Sequence, residues 1–426
     1  MSLRVWELTR KMEASVAIRN EFDLFCKTNW RFMENAGGSQ IPRIVSNAIK
    51  DYMDNFYVQV GASYDLSVEA TNIVKQAHNL MSEFFNSSDC GEIVFGPSTS
   101  QLIYNLAICY SRVLNPGDEI IIATSGHEAN IGPWVDIAKD KNLVLKICPP
   151  EKDDNGNILT ISETKFKELL SDKTKLVALP HVNNLLGEIV DVKKFTNLAH
   201  QVGAKVIVDG VAYAPHRVID VKDWDVDWYV CSVYKIYGPH MAVMFGKTER
   251  FSELTGLNWF FVGNSNVTYK FELGCISHES CAGVVALLNY FKKILEIFNV
   301  PYEGLSTRKI IEECFTLFTK LEHPLQHKLL TFLLSKPKVR LFGSYCCDNS
   351  FRVPTISFTH SEVSSKDICS ELHKAMIACR NGHMYAYRLV EFYNVDLNDG
   401  VVRLSLLHYN TEEEVDYLIS ILDKIL

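Results

Sequence analysis

Two patterns of apolar positions alternate along residues 65–247. Short runs rich in β-branched residues predict buried strands, whereas longer segments with apolar residues every three or four positions predict amphipathic helices. The predicted strands are 92–95, 119–123, 143–147, 174–180, 205–209, 228–232 and 241–245. The predicted helices are 68–85, 99–113, 130–141, 161–171 and 192–202. This alternation predicts an α/β fold with a mainly parallel, seven-stranded sheet covered on both faces.

The pattern changes beyond about residue 280. Long helical stretches at 281–298 and 307–334 are followed by shorter strands and helices and by a final helix at 412–425. We therefore expect three parts, namely an N-terminal segment that joins the small domain, a large domain and a smaller C-terminal α+β domain. Their expected bounds are 1–40, 41–285 and 286–426.

Composition narrows the class of protein. Apolar residues make up 47% of the chain, and 43 basic side chains stand against 51 acidic ones. With no long basic run, this balance argues against nucleic acid as a partner. No apolar window reaches the roughly 18–20 residues of a membrane span, and the N-terminus lacks the apolar core of a signal peptide. We expect a cytoplasmic protein with no membrane partner.

The cysteines give no sign of a metal site. The 12 cysteines are scattered along the chain without a paired CxxC motif. This distribution fits reduced thiols better than a disulfide framework or a zinc site. We therefore expect no metal ion.

Two charged residues follow predicted strands and give the first indication of chemistry. Asp209 closes the strand 205–209, and Lys235 follows the strand 228–232 in the run SVYKIYGPH. Open α/β sheets bind ligands at the carboxyl ends of their strands. An aldehyde cofactor such as pyridoxal phosphate needs an amine to condense with and a carboxylate that keeps the ring nitrogen protonated. A surface lysine and a strand-end aspartate with no role in binding would also explain the two residues.

Two more segments fit a phosphorylated aromatic cofactor. The run GPSTSQLIYNLA follows a predicted strand and opens a helix. There Ser98, Thr99 and Ser100 offer hydroxyls and N–H groups to a phosphate, although Ser98 or Thr99 could simply cap the helix. His127, in SGHEANIGPW, could stack on an aromatic ring and exchange protons, or serve as a cap.

Two polar residues complete the set. Asn184, in HVNNLLGEIV, could bond a ring hydroxyl or belong to a turn before Gly187. Arg403, in VVRLSLLHYNT, lies in a predicted strand of the small domain. A guanidinium that faces a cleft binds a carboxylate through two parallel hydrogen bonds. Arg403 could equally be an exposed residue of that strand.

Together these runs resemble the class V aminotransferase family. Its members are pyridoxal phosphate enzymes of the aspartate aminotransferase fold (fold type I). The cysteine desulfurase and selenocysteine lyase branch is the most similar. The resemblance covers nearly the whole chain, from FMENAGGSQIP at 32–42 to RLSLLHYNT at 403–411. Between these, the runs in the expected order are HEANIGPW, HVNNLLGEIVDV, VDGVAYAPHRVIDV, DWYVCSVYKIYGPH and RNGHMYAYR.

The resemblance implies pyridoxal 5'-phosphate as the cofactor and a role for each candidate residue. Lys235 would bind the aldehyde covalently, Asp209 would pair with the ring nitrogen, and His127 would stack over the ring. Asn184 would lie near the ring hydroxyl. The residues implied at the phosphate are Thr99, Ser100, Ser232 and Tyr234. The residues implied for the substrate are Arg403, which would bind its carboxylate, and Asn35, Ala36 and Gly37, which would line the mouth. Such enzymes are typically homodimers.

The chain also departs from the desulfurase pattern. Tyr385 stands in RNGHMYAYR where the catalytic cysteine is expected, and a phenol cannot accept sulfur as a persulfide because that step needs a thiolate. Cys379 is close in sequence but precedes the expected loop. Ala212 replaces a glutamine and Tyr234 a histidine. Cys275 falls near the position where desulfurases have a threonine that reaches the partner subunit's phosphate.

We therefore expect a pyridoxal phosphate enzyme that acts on a small L-α-amino acid. A β-elimination of the C–S lyase type is the preferred reaction, because loss of a β-substituent from the α-carbanion requires no cysteine. Transamination and epimerisation share the first steps and stay open. The sequence is also compatible with a desulfurase that uses another thiol and with a non-catalytic protein that binds the cofactor.

Overall fold

The computed structural model describes residues 13–152, 158–262 and 267–426. Residues 1–12 of the predicted N-terminal segment therefore lie outside the described residues. The described helices are Asp23–Lys27, Arg43–Asn55, Asp65–Phe85, Thr99–Ser111, Gly132–Lys141, Glu163–Leu169, Val192–His200, Val221–Trp224, Thr248–Glu253, His278–Ile297, Thr307–Leu334, Ser365–Lys374, Tyr387–Phe392 and Glu412–Ile425. Single 3₁₀ turns are Glu128–Asn130, Val233–Lys235 and Thr268–Lys270.

The central sheet has seven strands. Their order across the sheet is Gly91–Gly96, Ala242–Lys247, Trp228–Ser232, Lys205–Asp209, Thr174–Pro180, Glu119–Ala123 and Val144–Cys148. Ala242–Lys247 is antiparallel to both of its neighbours, and all other neighbouring pairs are parallel. The predicted α/β fold with a mainly parallel, seven-stranded sheet is confirmed.

Both faces of this sheet are buried, as its continuous apolar strands predict. Successive side chains of a strand point to opposite faces, and the run Ile120, Ile121 and Ile122 shows this directly. Ile121 packs in the apolar cluster that contains Phe84, whereas its two neighbours pack in the cluster that contains Leu102. Helices therefore cover the sheet on both sides and leave its strand ends as the place where polar groups can gather.

The register of the parallel strands brings their carboxyl ends together. Pro180 lies opposite Asp209, and Asp209 lies opposite Val230. Ser232 ends the strand that contains Val230, and the 3₁₀ turn Val233–Lys235 follows at once. The sheet thus places the candidate carboxylate and the candidate amine at one edge.

The C-terminal part contains a second, antiparallel sheet. Its strands lie in the order Val339–Phe342, Thr355–His360, Val401–Ser405 and Arg380–Gly382. The short strand Arg31–Phe32 pairs in parallel with Ile377–Ala378, so the N-terminal segment lies against this part of the chain. A further short hairpin pairs Glu151–Lys152 with Ile158–Leu159. The predicted domain bounds stay a prediction.

Element bounds differ from the predicted ones where local chemistry decides them. The helix expected at 161–171 is Glu163–Leu169, because the Ser162 side chain accepts a hydrogen bond from the Lys165 N–H and caps its start. The helix expected from 130 begins at Gly132, where Pro133 fits a first turn that needs no donor. Within the described ranges, no helix is long and apolar enough to cross a bilayer.

Gly187 is a position where only glycine fits. Its φ is +69°, and an added Cβ would lie 2.4 Å from the Thr355 carbonyl oxygen. We expect Gly187→Ala to lower the free energy of unfolding by about 3 kcal/mol, because the positive φ strains the alanine backbone and the added Cβ overlaps the Thr355 oxygen. The matched control is Gly203→Ala, which has a φ of +80° with no described atom within 4 Å, and should cost about 1 kcal/mol. Urea unfolding of both variants measures the difference. Equal losses of unfolding free energy in the two variants would contradict a steric clash at Gly187.

Candidate active site

A cavity opens at the carboxyl edge of the central sheet. It brings together all eight residues that were predicted to contact the cofactor, which are Thr99, Ser100, His127, Asn184, Asp209, Ser232, Tyr234 and Lys235. Ser98, which the sequence analysis offered as either a phosphate contact or a helix cap, also lines it, and the remaining lining residues are Ala129, Pro180, Val182, Val211 and Ala212. These last residues are apolar and carry no chemical signal in a sequence.

Asp209 and Lys235 influence each other inside this cavity. The Asp209 carboxylate is buried and accepts a hydrogen bond of 2.9 Å from the Val211 N–H. Burial raises the pKa of Asp209, while that hydrogen bond and the charge of Lys235 oppose the rise. Burial also lowers the pKa of the Lys235 amine to about 8; Arg403 adds to this effect and Asp209 opposes it. A sizeable fraction of the amine is therefore neutral and nucleophilic near pH 8.

His127 both caps a turn and lines the cavity. Its Nδ1 accepts a hydrogen bond of 3.0 Å from the Ala129 N–H at the start of the 3₁₀ turn Glu128–Asn130. Burial lowers the pKa of His127 to about 4, with Lys235 and Arg403 lowering it further. The imidazole is thus neutral at neutral pH, and its Nε2 carries the proton. The capping explanation holds, and it does not exclude the stacking role.

Hydroxyl groups and a helix start meet at one end of the cavity. Ser98 caps the helix Thr99–Ser111, since its side chain accepts a hydrogen bond from the Gln101 N–H. The Thr99 and Ser232 hydroxyls lie 2.8 Å apart, and Tyr234 stacks on His240 with ring centroids 4.9 Å apart. The first N–H groups of a helix have no partner within it and attract anions. This end of the cavity is therefore suited to a phosphate.

Asn184, which lines the cavity, and Arg403, which is bonded to the Asn184 backbone, carry unpaired polar atoms. The Asn184 amide nitrogen donates to the Met384 carbonyl oxygen at 2.9 Å, and Arg403 Nη1 donates to the Asn184 carbonyl oxygen at 3.3 Å. Arg403 is buried, so the explanation as an exposed strand residue is wrong. Burial lowers the pKa of Arg403 to about 10, with Glu34 opposing this shift. The guanidinium therefore stays charged at neutral pH.

The donors and acceptors of this cavity fit pyridoxal phosphate. Asn184 Oδ1 and Arg403 Nε are buried and have no hydrogen-bond partner among the described residues. Buried polar groups of native proteins are nearly always paired, so these two atoms are available to bond a ligand. An amine, a carboxylate and a phosphate-binding end complete what the cofactor requires.

The three residues predicted at the substrate mouth form hydrogen bonds with other residues of the chain. The Asn35 amide nitrogen donates to Ser405 O at 2.9 Å and to Asn410 Oδ1 at 3.0 Å, and its oxygen accepts from the Tyr409 hydroxyl at 2.7 Å. The Ala36 N–H donates to Ser405 Oγ at 2.7 Å, and the Gly37 N–H donates to Glu34 O at 3.0 Å. These bonds tie the N-terminal segment to the strand that holds Arg403. A direct substrate contact by Asn35, Ala36 or Gly37 stays a prediction.

A histidine behind the carboxylate was not among the predicted site residues. The backbone N–H of His181 donates to the Asp209 carbonyl oxygen at 2.8 Å, and the ring Nδ1 of His181 lies 2.8 Å from the Tyr229 hydroxyl. Its ring stacks on Tyr213 with a centroid separation of 3.6 Å. His181 directly follows the strand Thr174–Pro180, so its position at a strand end was the available signal. It fixes the backbone that presents Asp209.

Comparison with known proteins assigns the family. The model of the family described as Aminotransferase class-V matches residues 31–300 and 309–418. The chain belongs to this family. Class V aminotransferases use pyridoxal 5'-phosphate, so the predicted cofactor and the predicted pyridoxal phosphate enzyme class are confirmed.

Relatives of this chain carry several functional names. The aminotransferase-like protein FGM3 of Gibberella zeae is 36% identical over 93% of this chain and 94% of the relative. The cysteine desulfurase-like protein ustD of Aspergillus flavus is 30% identical over 92% of this chain and 86% of the relative. The chain is also 31% identical to a 28% portion of the nonribosomal peptide synthetase-like enzyme fsqF of Aspergillus fumigatus. The predicted similarity to the desulfurase branch is confirmed.

Solved structures show the same fold. The apo cysteine desulfurase from Thermococcus onnurineus superposes with a TM-score of 0.81 at 22% identity, over 96% of this chain and 97% of that chain. The cysteine desulfurase CsdA of Escherichia coli superposes with a TM-score of 0.79 at 23% identity, over 96% and 98% of the two chains. The fold type I architecture that the sequence indicated is confirmed.

The lowered pKa of Lys235 predicts how covalent cofactor binding depends on pH. We expect the rate at which added pyridoxal phosphate reacts with the cofactor-free protein to rise through about pH 8 and then level off, because only the neutral amine attacks. His127, with a pKa of about 4, does not titrate in this range. Stopped-flow absorbance measures the rate.

The control for this experiment is the free lysine side chain, whose amine has a pKa of about 10.4. Its reaction with pyridoxal phosphate should keep accelerating toward pH 10. A protein rate that follows the free amine would contradict the perturbed lysine. The Lys235→Ala variant should show no covalent reaction in the cavity.

Proposed function

We propose that this member of the class V aminotransferase family catalyses β-elimination on a small L-α-amino acid. The observation that carries the proposal is the shared cavity of Lys235, with its pKa lowered to about 8, and the buried Asp209. Arg403 is not among the lining residues, but its Nη1 donates to the carbonyl oxygen of Asn184, which lines the cavity. An amine that can take a proton and a fixed cation for a carboxylate are the groups that α-amino acid chemistry requires.

The cofactor would be held by groups at both ends of the cavity. Thr99, Ser100 and Ser232 would bind the phosphate, and Asp209 would bond the ring nitrogen and keep a proton on it. When bound, pyridoxal phosphate supplies an electron-withdrawing ring that accepts the electron pair left at the α-carbon. The neutral His127 would cover one face of the ring without adding charge beside Lys235.

The residues of the chain would then orient the substrate and move one proton. Arg403, charged at neutral pH, binds the α-carboxylate and fixes which bond of the α-carbon faces Lys235. Lys235 in its neutral form removes the α-proton. A substituent on the β-carbon then leaves with its bonding electrons, and this departure needs no protein nucleophile. The elimination leaves an unsaturated amine, which takes up one water molecule from the solvent, so that the expected products are a 2-oxo acid, ammonia and the protonated leaving group.

Elimination is favoured over desulfuration by the residues around the cavity. None of the described residues that line the cavity is a cysteine. Tyr385 lies beside the cavity, with its ring 5.2 Å from that of His127. Relatives named cysteine desulfurases support a small amino acid with a β-substituent as the substrate class. The absence of a catalytic cysteine is part of this proposal.

Cys379 does not have the properties of a sulfur acceptor. It is buried, and a hydrogen bond with Cys369, followed by burial itself, raises the pKa of its thiol. A persulfide forms on a thiolate, and this environment favours the thiol. These contacts argue against a desulfurase reaction through Cys379.

We further propose that the protein works as a homodimer. Three consecutive aromatic side chains are exposed, with Trp259 at 61%, Phe260 at 100% and Phe261 at 69%. Adjacent large apolar side chains on a surface mark a contact site. A second copy of the chain would cover them, as is typical of the family that the sequence resembles.

The reaction can be identified from its products. We expect the protein loaded with pyridoxal phosphate to release pyruvate and ammonia in equal amounts from L-cysteine, O-acetyl-L-serine or β-chloro-L-alanine. Lys235→Ala should lower kcat by at least about 10³-fold because the base is lost. Arg403→Ala should raise KM by about 10- to 100-fold because a charged hydrogen bond is lost. Alanine with sulfide would indicate desulfuration, and a D-amino acid would indicate epimerisation; either result in place of pyruvate would contradict elimination.

A cysteine substitution separates the two sulfur reactions. We expect Cys379→Ala to release pyruvate and sulfide from L-cysteine at a rate within about twofold of the unmodified protein, since its thiol lies outside the cavity lining. Cys314→Ala, which removes another buried thiol, is the matched control for a loss of stability. Sulfide release that disappears in Cys379→Ala and persists in the control would overturn the proposal.

A further inference from the structure

The segment from His383 to Arg388 has an unusual backbone beside the cavity. Met384 and Tyr385 follow each other with φ of +46° and +60°. Each such residue other than glycine costs about 1–2 kcal/mol relative to a right-handed conformation. Two in succession persist only where the surrounding contacts fix them.

Two hydrogen bonds from the cavity wall fix these residues. The Glu128 N–H donates to the Tyr385 carbonyl oxygen at 2.9 Å, and the Asn184 amide donates to the Met384 carbonyl oxygen at 2.9 Å. Asn184 lines the cavity, and Glu128 directly follows His127, which also lines it. The segment is therefore attached to the same wall that holds the candidate cofactor-binding groups.

An ion pair adds a third attachment. Arg388 Nε lies 3.2 Å from Glu128 Oε2, and Arg388 Nη2 lies 3.1 Å from Glu128 Oε1. This is the two-bond geometry by which a guanidinium orients a carboxylate. The two side chains are 35% and 36% exposed, so the pair adds little to global stability. Its geometry is suited to holding the segment in one position.

The Tyr385 ring is placed by these attachments and not by core packing. Its side chain is 65% exposed, yet its ring lies 5.2 Å from the His127 ring at an angle of 39°. His127 lines the cavity, so the Tyr385 ring beside it stands next to the space in which an amino acid held by Lys235 and Arg403 would bind.

We propose that Tyr385 is a specificity-determining residue that limits the size of the substrate side chain, and that Glu128 and Arg388 are the residues that position it. This inference rests on the proposed function for the identity of the substrate. The ion pair and the segment it holds can be tested without any turnover.

The first experiment measures the attachment alone. Chymotrypsin cleaves after Tyr385 and Tyr387, and mass spectrometry follows those two cuts in the protein loaded with pyridoxal phosphate. We expect Glu128→Arg and Arg388→Glu to accelerate cleavage there by about two- to fivefold. The double variant with both substitutions restores the pair in reverse and should return the rate close to that of the unmodified protein. Unchanged cleavage in the single variants, or no recovery in the double variant, would overturn the positioning role.

The second experiment measures specificity. The probes are L-alanine, L-cysteine, L-methionine and L-phenylalanine, and the readout is the change in the visible spectrum of the loaded protein with amino-acid concentration. Tyr385→Ala should improve the apparent affinity for phenylalanine relative to alanine by about tenfold, and Tyr385→Phe should leave this ratio unchanged because the ring remains. The matched control is Tyr387→Ala, because the Tyr387 ring lies 5.6 Å from that of His383.

The outcomes separate the specificity role from the proposed function. A ratio that Tyr385→Ala leaves unchanged, or that Tyr387→Ala changes equally, would overturn the role of Tyr385. The single charge variants should also improve the apparent affinity for phenylalanine relative to alanine, in the same direction as Tyr385→Ala, and the double variant should reverse this. If no amino acid perturbs the spectrum of the unmodified protein, the proposed function fails, and with it the specificity role; the cleavage experiment still decides the positioning role.

Discussion

The enclosure of an amine and a carboxylate at one edge of a parallel sheet is the constraint on which this protein depends. Water would keep both groups charged and separate. In the cavity, burial lowers the pKa of Lys235 and raises that of Asp209, while their mutual attraction opposes both shifts. The chain tolerates these buried groups because the fold leaves them a space in which a ligand can pair with them.

The fold meets that constraint through strand register. Pro180 and Asp209 lie opposite each other, and the strand that leads to Lys235 is the next one in the sheet. Apolar clusters on both faces hold these strands rigidly. The reactive groups thus stand on sheet ends, whereas Arg403 arrives from the second sheet. Positions set by a rigid scaffold are what a reaction at a single carbon atom requires.

The sequence predicted the features that depend on residues close together in the chain. Buried strands, the helix start at Thr99 and the residues at strand ends are visible in short runs, so the sequence could name eight residues that line the cavity. It did not predict the role of Asn35, whose amide bonds residues about 370 positions away. Nor did it predict that Arg388 pairs with Glu128 across 260 positions. Such contacts depend on how distant segments pack together, and the patterns in a single sequence do not predict that packing.

The pairing of Arg31–Phe32 with Ile377–Ala378 ties the beginning of the described chain to a segment near its end. Arg403 lies in the strand Val401–Ser405, and the carbonyl oxygen of Ser405 accepts a hydrogen bond from Asn35 of the same N-terminal segment. The N-terminal segment thus braces the strand that carries the candidate carboxylate-binding guanidinium, and a change that loosens one loosens the other.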